Sequence, residues 1–171
     1  MLNALTMLFL TASAAAIDDA PFVQEYHEPY PLPSDAGADD VRAVAVDAHG
    51  TVFAAAKAGL YALSKGQGKW RALMSAEDAG PVFDVMADGG GAVWAGAWNG
   101  LYRAREDSAE KVDGIDGPVA ALCAGANGIL AISPDGIWRS EAGTWKREPY
   151  PFARSIRAAL ADPEGGFWVG T

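Results

Sequence analysis

The chain has 171 residues and a formal charge of −9, with 13 Lys and Arg against 22 Asp and Glu. That balance disfavours a nucleic-acid backbone or an anionic membrane as the main partner, because both need clustered cations. Apolar residues make up 50% and aromatics 10%, enough for a core and too many for a disordered chain, while 20 Gly and 10 Pro point to many turns between short strands.

Residues 1–16 carry no charge and include the apolar run Leu5-Thr-Met-Leu-Phe-Leu10 followed by small residues. The run is too short for a membrane-spanning helix, which needs about 20 apolar residues. An Ala-x-Ala pattern at Ala12/Ala14 or Ala14/Ala16 reads as a secretory signal, although the usual Lys or Arg before the run is missing; a frayed apolar terminus is the alternative. Export, to a periplasmic or extracellular location, is the expectation. Residues 17–40 are then an N-terminal outer strand and loop. The segment 22–33 holds three prolines, which confine a strand to a sheet edge. Its Glu28-Pro-Tyr-Pro31 returns as Glu148-Pro-Tyr-Pro151, so both segments are expected to serve as outermost strands.

A repeat fills the rest. Apolar strands begin at Val41, Val82, Val119 and Ile156, at spacings of 41, 37 and 37 residues. Each is followed by a turn that closes on glycine: Asp47 to Gly50, Asp88 to Gly91, Gly125 to Gly128 and Asp162 to Gly165. Second strands follow at 51–55, 92–96, 129–132 and 166–170. Third strands are expected at 59–63, 100–103 and 136–139, and fourth strands at 69–73, 110–113 and 144–148. Glycine, Asn and Asp recur at the turns because hairpins often require φ > 0. Four short strands per unit at a period near 40 is the pattern of β-propeller blades. The expected fold is therefore all-β: a propeller fragment with three four-stranded blades (41–73, 82–113, 119–148), half of a fourth (156–171) and the N-terminal outer strand. Propellers close with about 4–8 blades, so further blades are expected from sequence beyond this chain, with the 22–33 strand completing the last of them.

The phrase running from an apolar strand through Asp88-Gly-Gly-Gly-Ala-Val-Trp-Ala-Gly96 to Gly100-Leu-Tyr102 resembles the two-component regulator propeller repeat. The resemblance covers about residues 41–171. Residues 82–102 match best; the first copy has Phe53 and Ala55 in place of Trp and Gly, and the third lacks both the Asp and the aromatic. It implies a ligand-sensing propeller, an extracytoplasmic sensor part of a signalling protein, with carbohydrate as an implied ligand class. It names a scaffold and no chemistry.

No catalytic constellation emerges, so the protein is expected not to be an enzyme. Cys123 has no Cys partner and lies in an apolar strand, as an inert buried thiol would. His27 and His49 are the only histidines, on an edge strand and a turn tip, and make neither a metal site nor a triad. Gly66-Gln-Gly68 lacks phosphate-loop spacing, and Ser133 to Trp138 only faintly resembles the Asp-box of sialidase-like propellers. The acid pairs Asp18-Asp19 and Asp39-Asp40 read as solvated loops. No cofactor or metal is expected. Trp94, Trp138 and Trp168 hold repeat positions, which assigns them to packing between blades. Trp98 stands outside the repeat, in the turn before Gly100. Turns between second and third strands share a rim with the blade-to-blade loops, so Lys57, Trp98, Asn99, Asp135 and Arg154 should gather there, with Arg42 and Arg157 near the channel mouth. That set suits a carbohydrate, peptide or protein ligand. The alternatives are a propeller enzyme of the streptogramin-lyase type, with catalytic groups in blades absent here, and a purely structural interaction module.

Overall fold

The computed structural model describes residues 28–33, 40–105, 107–125, 128–134, 136–141, 143–149, 156, 158–162, 164 and 166–170. The first sheet is β1 (Val41–Val46), β2 (Val52–Ala56), β3 (Gly59–Leu63) and β4 (Arg71–Ser75). The second is β5 (Val82–Ala87), β6 (Val93–Ala97), β7 (Gly100–Ala104) and β8 (Ala109–Lys111). The third is β9 (Ala121–Gly125), β10 (Gly128–Ser133), β11 (Gly136–Glu141) and β12 (Thr144–Glu148), and β13 (Ala158–Ala161) pairs with β14 (Phe167–Gly170). Within each sheet every strand is antiparallel to the next. This meander fixes two rims. The turns between first and second and between third and fourth strands lie at one end of each sheet. The turns between second and third strands, and the loops between sheets, lie at the other. The architecture is the expected one: three four-stranded blades and the first two strands of a fourth.

The recurring Asp has a local reason. Asp47 Oδ1 accepts the N–H groups of His49 and Thr51 at 2.9 and 2.8 Å, and Asp88 Oδ1 accepts those of Gly90 and Ala92 at the same two distances. Asp162 repeats the first of these bonds with Glu164 at 2.9 Å. Each carboxylate thus closes the first hairpin as an Asx turn. Trp94 completes the second copy by donating its indole N–H to Asp88 Oδ2 at 2.9 Å. Burial, the largest single influence on Asp88, raises its pKa. The bonds from Trp94, Ala92 and Gly90 and the charge of Arg103 together outweigh it and hold the carboxyl below its ordinary value.

Blades are joined face to face by apolar seams. Phe53, Ala55 and Leu60 meet Val82, Val85, Val93 and Tyr102 at the first seam. Leu101, Met86 and Trp94 meet Leu122, Ala131 and Trp145 at the second, where the Trp94 and Trp145 rings stand edge to face at 5.4 Å and 74°. Leu130, Ile132 and Ile137 meet Ala159, Phe167 and Val169 at the third. Each fully buried Leu or Ile at a seam contributes about 1.5–3 kcal/mol. Asp84 adds a polar tie, accepting the Leu122 N–H of the next blade at 2.7 Å and its neighbour Val85 N–H at 2.9 Å. Burial dominates there and pushes the Asp84 carboxyl up; the two N–H groups offset it only in part. Trp94 therefore does pack between blades, and Trp138 lies in the same seam. Trp168 occupies the Trp94 position of the last repeat yet is 69% exposed, with Leu160 at 67% beside it, because among the described residues no sheet covers that face.

Several expected boundaries move. The fourth strand of the first blade is Arg71–Ser75, two residues later than 69–73, and that of the second is Ala109–Lys111 rather than 110–113. The third blade's inner strand starts at Ala121 rather than 119, because the Val119 N–H is drawn to Ala97 O of the preceding blade at 2.9 Å. The last inner strand is Ala158–Ala161, shorter than 156–161. A one-turn helix, α1 (Ala76–Ala79), was not expected; Ser75 caps its start and Gly80 ends it. Of the expected strand at 22–33, residues 22–27 lie outside the described residues. Glu28 to Pro33 form no strand. They lie on the outer face of the first blade instead, with Leu32 buried among Ala54, Ala56 and Tyr61, and Trp70 donating its indole N–H to Tyr30 O at 2.9 Å. The signal segment, residues 1–16, lies outside the described residues.

Candidate functional site

Two blades present equivalent positions side by side on the rim of the second-to-third-strand turns. Val41 pairs with Ala56 and Val82 with Ala97, so Lys57 and Trp98 are counterparts, one residue past the strand. Arg42 and Phe83 are counterparts as well, each the second residue of an inner strand. Both ladders skip a residue at this point, from Val41 to Ala43 and from Val82 to Asp84. A bulge of this kind re-aims the extra side chain out of the ladder. Arg42 and Phe83 are thereby delivered to the rim.

The result is a continuous strip. The Arg42 guanidinium grips Asp40 in a two-pronged ion pair at 3.0 and 3.1 Å. It also lies over the Phe83 ring at 5.2 Å from the centroid. Phe83 in turn meets Trp98, with ring centroids 6.3 Å apart and planes tilted by 57°. Asp40 is tied to Lys57 too, its carbonyl accepting the Lys57 N–H at 3.2 Å. The Arg42 hydrogen bond, helped by the charges of Arg42 and Lys57, holds the Asp40 carboxyl below its ordinary value. A guanidinium fixed by a carboxylate and stacked on a ring keeps its orientation without a ligand, which lowers the entropy lost on binding.

Trp98 ends the strip and is 58% exposed. Its backbone is fixed all the same. The Trp98 N–H donates to Pro81 O at 3.0 Å, and Asn99 N–H to Ala79 O at 3.2 Å. The Asn99 side chain donates to Asp78 O at 2.8 Å and accepts the Tyr102 hydroxyl at 2.6 Å. Gly80 lies directly beneath the Trp98 side chain, where a Cβ would fall 2.6 Å from Trp98 Cβ. The loop carrying α1 is thus latched to the turn carrying Trp98.

Of the residues expected on this rim, the structure brings Arg42, Lys57, Trp98 and Asn99 together. Asn99 spends its side chain inside the loop latch. Asp135, Arg154 and Arg157 lie outside the described residues. Neither Asp40 nor Phe83 is among the residues expected on this rim. Phe83 was within reach, because aligning the repeats puts it opposite Arg42. Asp40 is an ion-paired member of the strip rather than the solvated loop acid expected. His49 is exposed at its turn, and among the described residues no three His, Cys, Asp or Glu side chains cluster as metal ligands would. Cys123 is buried, and burial pushes its thiol up. Among the described residues no helix is long and apolar enough to cross a membrane.

No known family profile and no curated protein matches the sequence. Solved structures do. The extracellular domain of BT4673 from B. thetaiotaomicron, described as a hybrid two-component system in one structure and a one-component system in another, superposes with TM-scores of 0.62 and 0.64 at 18% identity. The match covers 77% of this chain but only 19–20% of that one, so the chain spans about a fifth of that extracellular domain's length. A chain of the mitotic checkpoint complex matches 91% of this chain over 53% of its own, with TM-score 0.59 and 15% identity. The likeness lies in the fold. These are consecutive blades of a β-propeller.

Proposed function

We propose that this chain is part of an exported, non-enzymatic β-propeller that binds a ligand or partner through the rim bearing Arg42, Lys57, Phe83 and Trp98. The observation that carries the reading is the preformed strip from Asp40 to Trp98, which ends in an exposed indole on a latched backbone. Exposed aromatics that are already held in place are effective anchors, since little freedom is lost when they are covered. Arg157, Arg154 and Asp135 belong to the same rim in this proposal. The likeness to an extracellular domain of a two-component system supports an extracytoplasmic sensor role, with a carbohydrate or peptide as the ligand.

The test screens the full chain on glycan and peptide arrays and then measures the affinity of the hits. Trp98→Ala and Arg42→Ala should each weaken binding by about tenfold or more, the equivalent of about 1.4 kcal/mol. Array hits that bind both variants as tightly as the parent would remove this rim from the function.

A further inference from the structure

The first and last sheets each leave an apolar face uncovered, and the two faces are the two halves of one seam. In the second seam Met86 and Trp94, paired across β5 and β6, share a cluster with Leu122 and Ala131, paired across β9 and β10. Leu160 and Trp168, paired across β13 and β14, repeat the first of these pairs. They lie on the far side of their sheet from Ala159, Phe167 and Val169, which face the third blade. Val44 and Ala54, paired across β1 and β2, repeat the second pair, on the face turned away from the second blade. Val44 is 64% exposed, against 9% for its counterpart Leu122, and Val46 on the same face is exposed too. The loop residue of this half-seam is already seated: Leu32 joins Ala54 and Tyr61, as Ile115 joins Leu122 and Ala131 in the second seam.

We propose that a second copy of this chain covers both faces, with Leu160 and Trp168 of each copy seated on Val44 and Val46 of the other. The occupant is a copy because each face carries the residue pair that covers the other in a seam the chain builds within itself. A head-to-tail contact of this kind uses two different patches, so it either closes into a ring or runs on as a filament. Two copies of three and a half blades bring together about seven, inside the range of about 4–8 at which propellers close, which favours a closed pair. Only two strands of the last sheet meet the partner at each contact, so the interface is small and the association weak and reversible. Each copy carries a charge of −9, so the copies repel one another and salt that screens this repulsion tightens the pair.

Sedimentation velocity of the full 171-residue chain, from micromolar to near-millimolar concentration and at low and high salt, tests this. The parent should pass reversibly from monomer to dimer, more readily at high salt. Trp168→Glu and Val44→Glu each put a charge into one half of the seam and should weaken association by about tenfold or more. Both positions are exposed, so circular dichroism should show the fold unchanged. Mixing the two variants is decisive. Each keeps the face the other has lost, so the mixture should form a one-to-one pair held by a single contact. Trp98→Ala should associate as the parent does, which separates these faces from the proposed rim. A parent that stays monomeric throughout would overturn the proposal and leave the faces to further blades or to another protein. So would either variant associating as tightly as the parent, a mixture that associates no better than its components, or a pair that dissociates as salt is added.

Discussion

Gly80→Ala tests whether the loop latch sets the position of Trp98. Gly80 has φ 71° and ψ −171°, a region L-residues avoid. Forcing a side chain there costs about 1–3 kcal/mol in backbone strain. The added methyl would also lie 2.6 Å from Trp98 Cβ and 3.1 Å from its Cγ. Trp98 has little room to retreat, because its N–H is bound to Pro81 O and the next residue is bound to Ala79 O. Relieving such an overlap costs about a further 1–3 kcal/mol. The expected loss is therefore about 2–6 kcal/mol, against a total stability of about 5–15 kcal/mol for a domain. Gly66→Ala is the matched control: its φ is 77°, and nothing lies within 4 Å of the added methyl. That variant carries only the conformational cost of about 1–2 kcal/mol. Urea unfolding of both variants, with tryptophan emission as the probe, gives the difference. A Gly80→Ala protein within about 0.5 kcal/mol of Gly66→Ala, a difference too small for any named core mechanism, would refute the latch.

The two half-buried acids should respond to pH with opposite signs. Asp88 is held below its ordinary value of 3.8, so the stability it contributes is full above that value and lost as pH falls through the lowered one; Asp88→Asn should be less stable than the parent at neutral pH by about 2 kcal/mol, and the gap should close in acid melts. Asp84 is pushed above 3.8, so its contribution is full below that value and lost as pH rises through the raised one; Asp84→Asn should flatten that part of the stability curve. A seam comparison follows from the repeat. Trp145→Ala, which strips the ring that meets Trp94 edge-on, should cost about 2 kcal/mol in denaturant melts, whereas Trp168→Ala, on an open face, should cost less than about 0.5 kcal/mol.

Much of this was legible in the sequence because turn chemistry is local. An Asp that caps its own hairpin needs only the next few residues, and a glycine that closes a turn needs only its own φ. The strand order and the three and a half blades follow from those signals alone. The first strands of the first two blades, Val41–Val46 and Val82–Ala87, also lie where the apolar runs put them. Boundaries failed where a partner one repeat away decided them, as when Ala97 O claims the Val119 N–H.

The sequence by itself thus determined the repeat, its turns and the rim on which Lys57, Trp98 and Arg42 would meet, since chain direction alternates in an antiparallel meander. Only the tertiary structure decided what those residues do there. The bulges that turn Arg42 and Phe83 outward depend on how each inner strand registers with its neighbour. The contact from Arg42 through Phe83 to Trp98 joins two blades, so it exists only once the seam between them is packed. The same packing draws Asn99 into the latch and leaves the indole of Trp98 outside it, because the Tyr102 hydroxyl and the Asp78 carbonyl satisfy the amide while the ring stays 58% exposed.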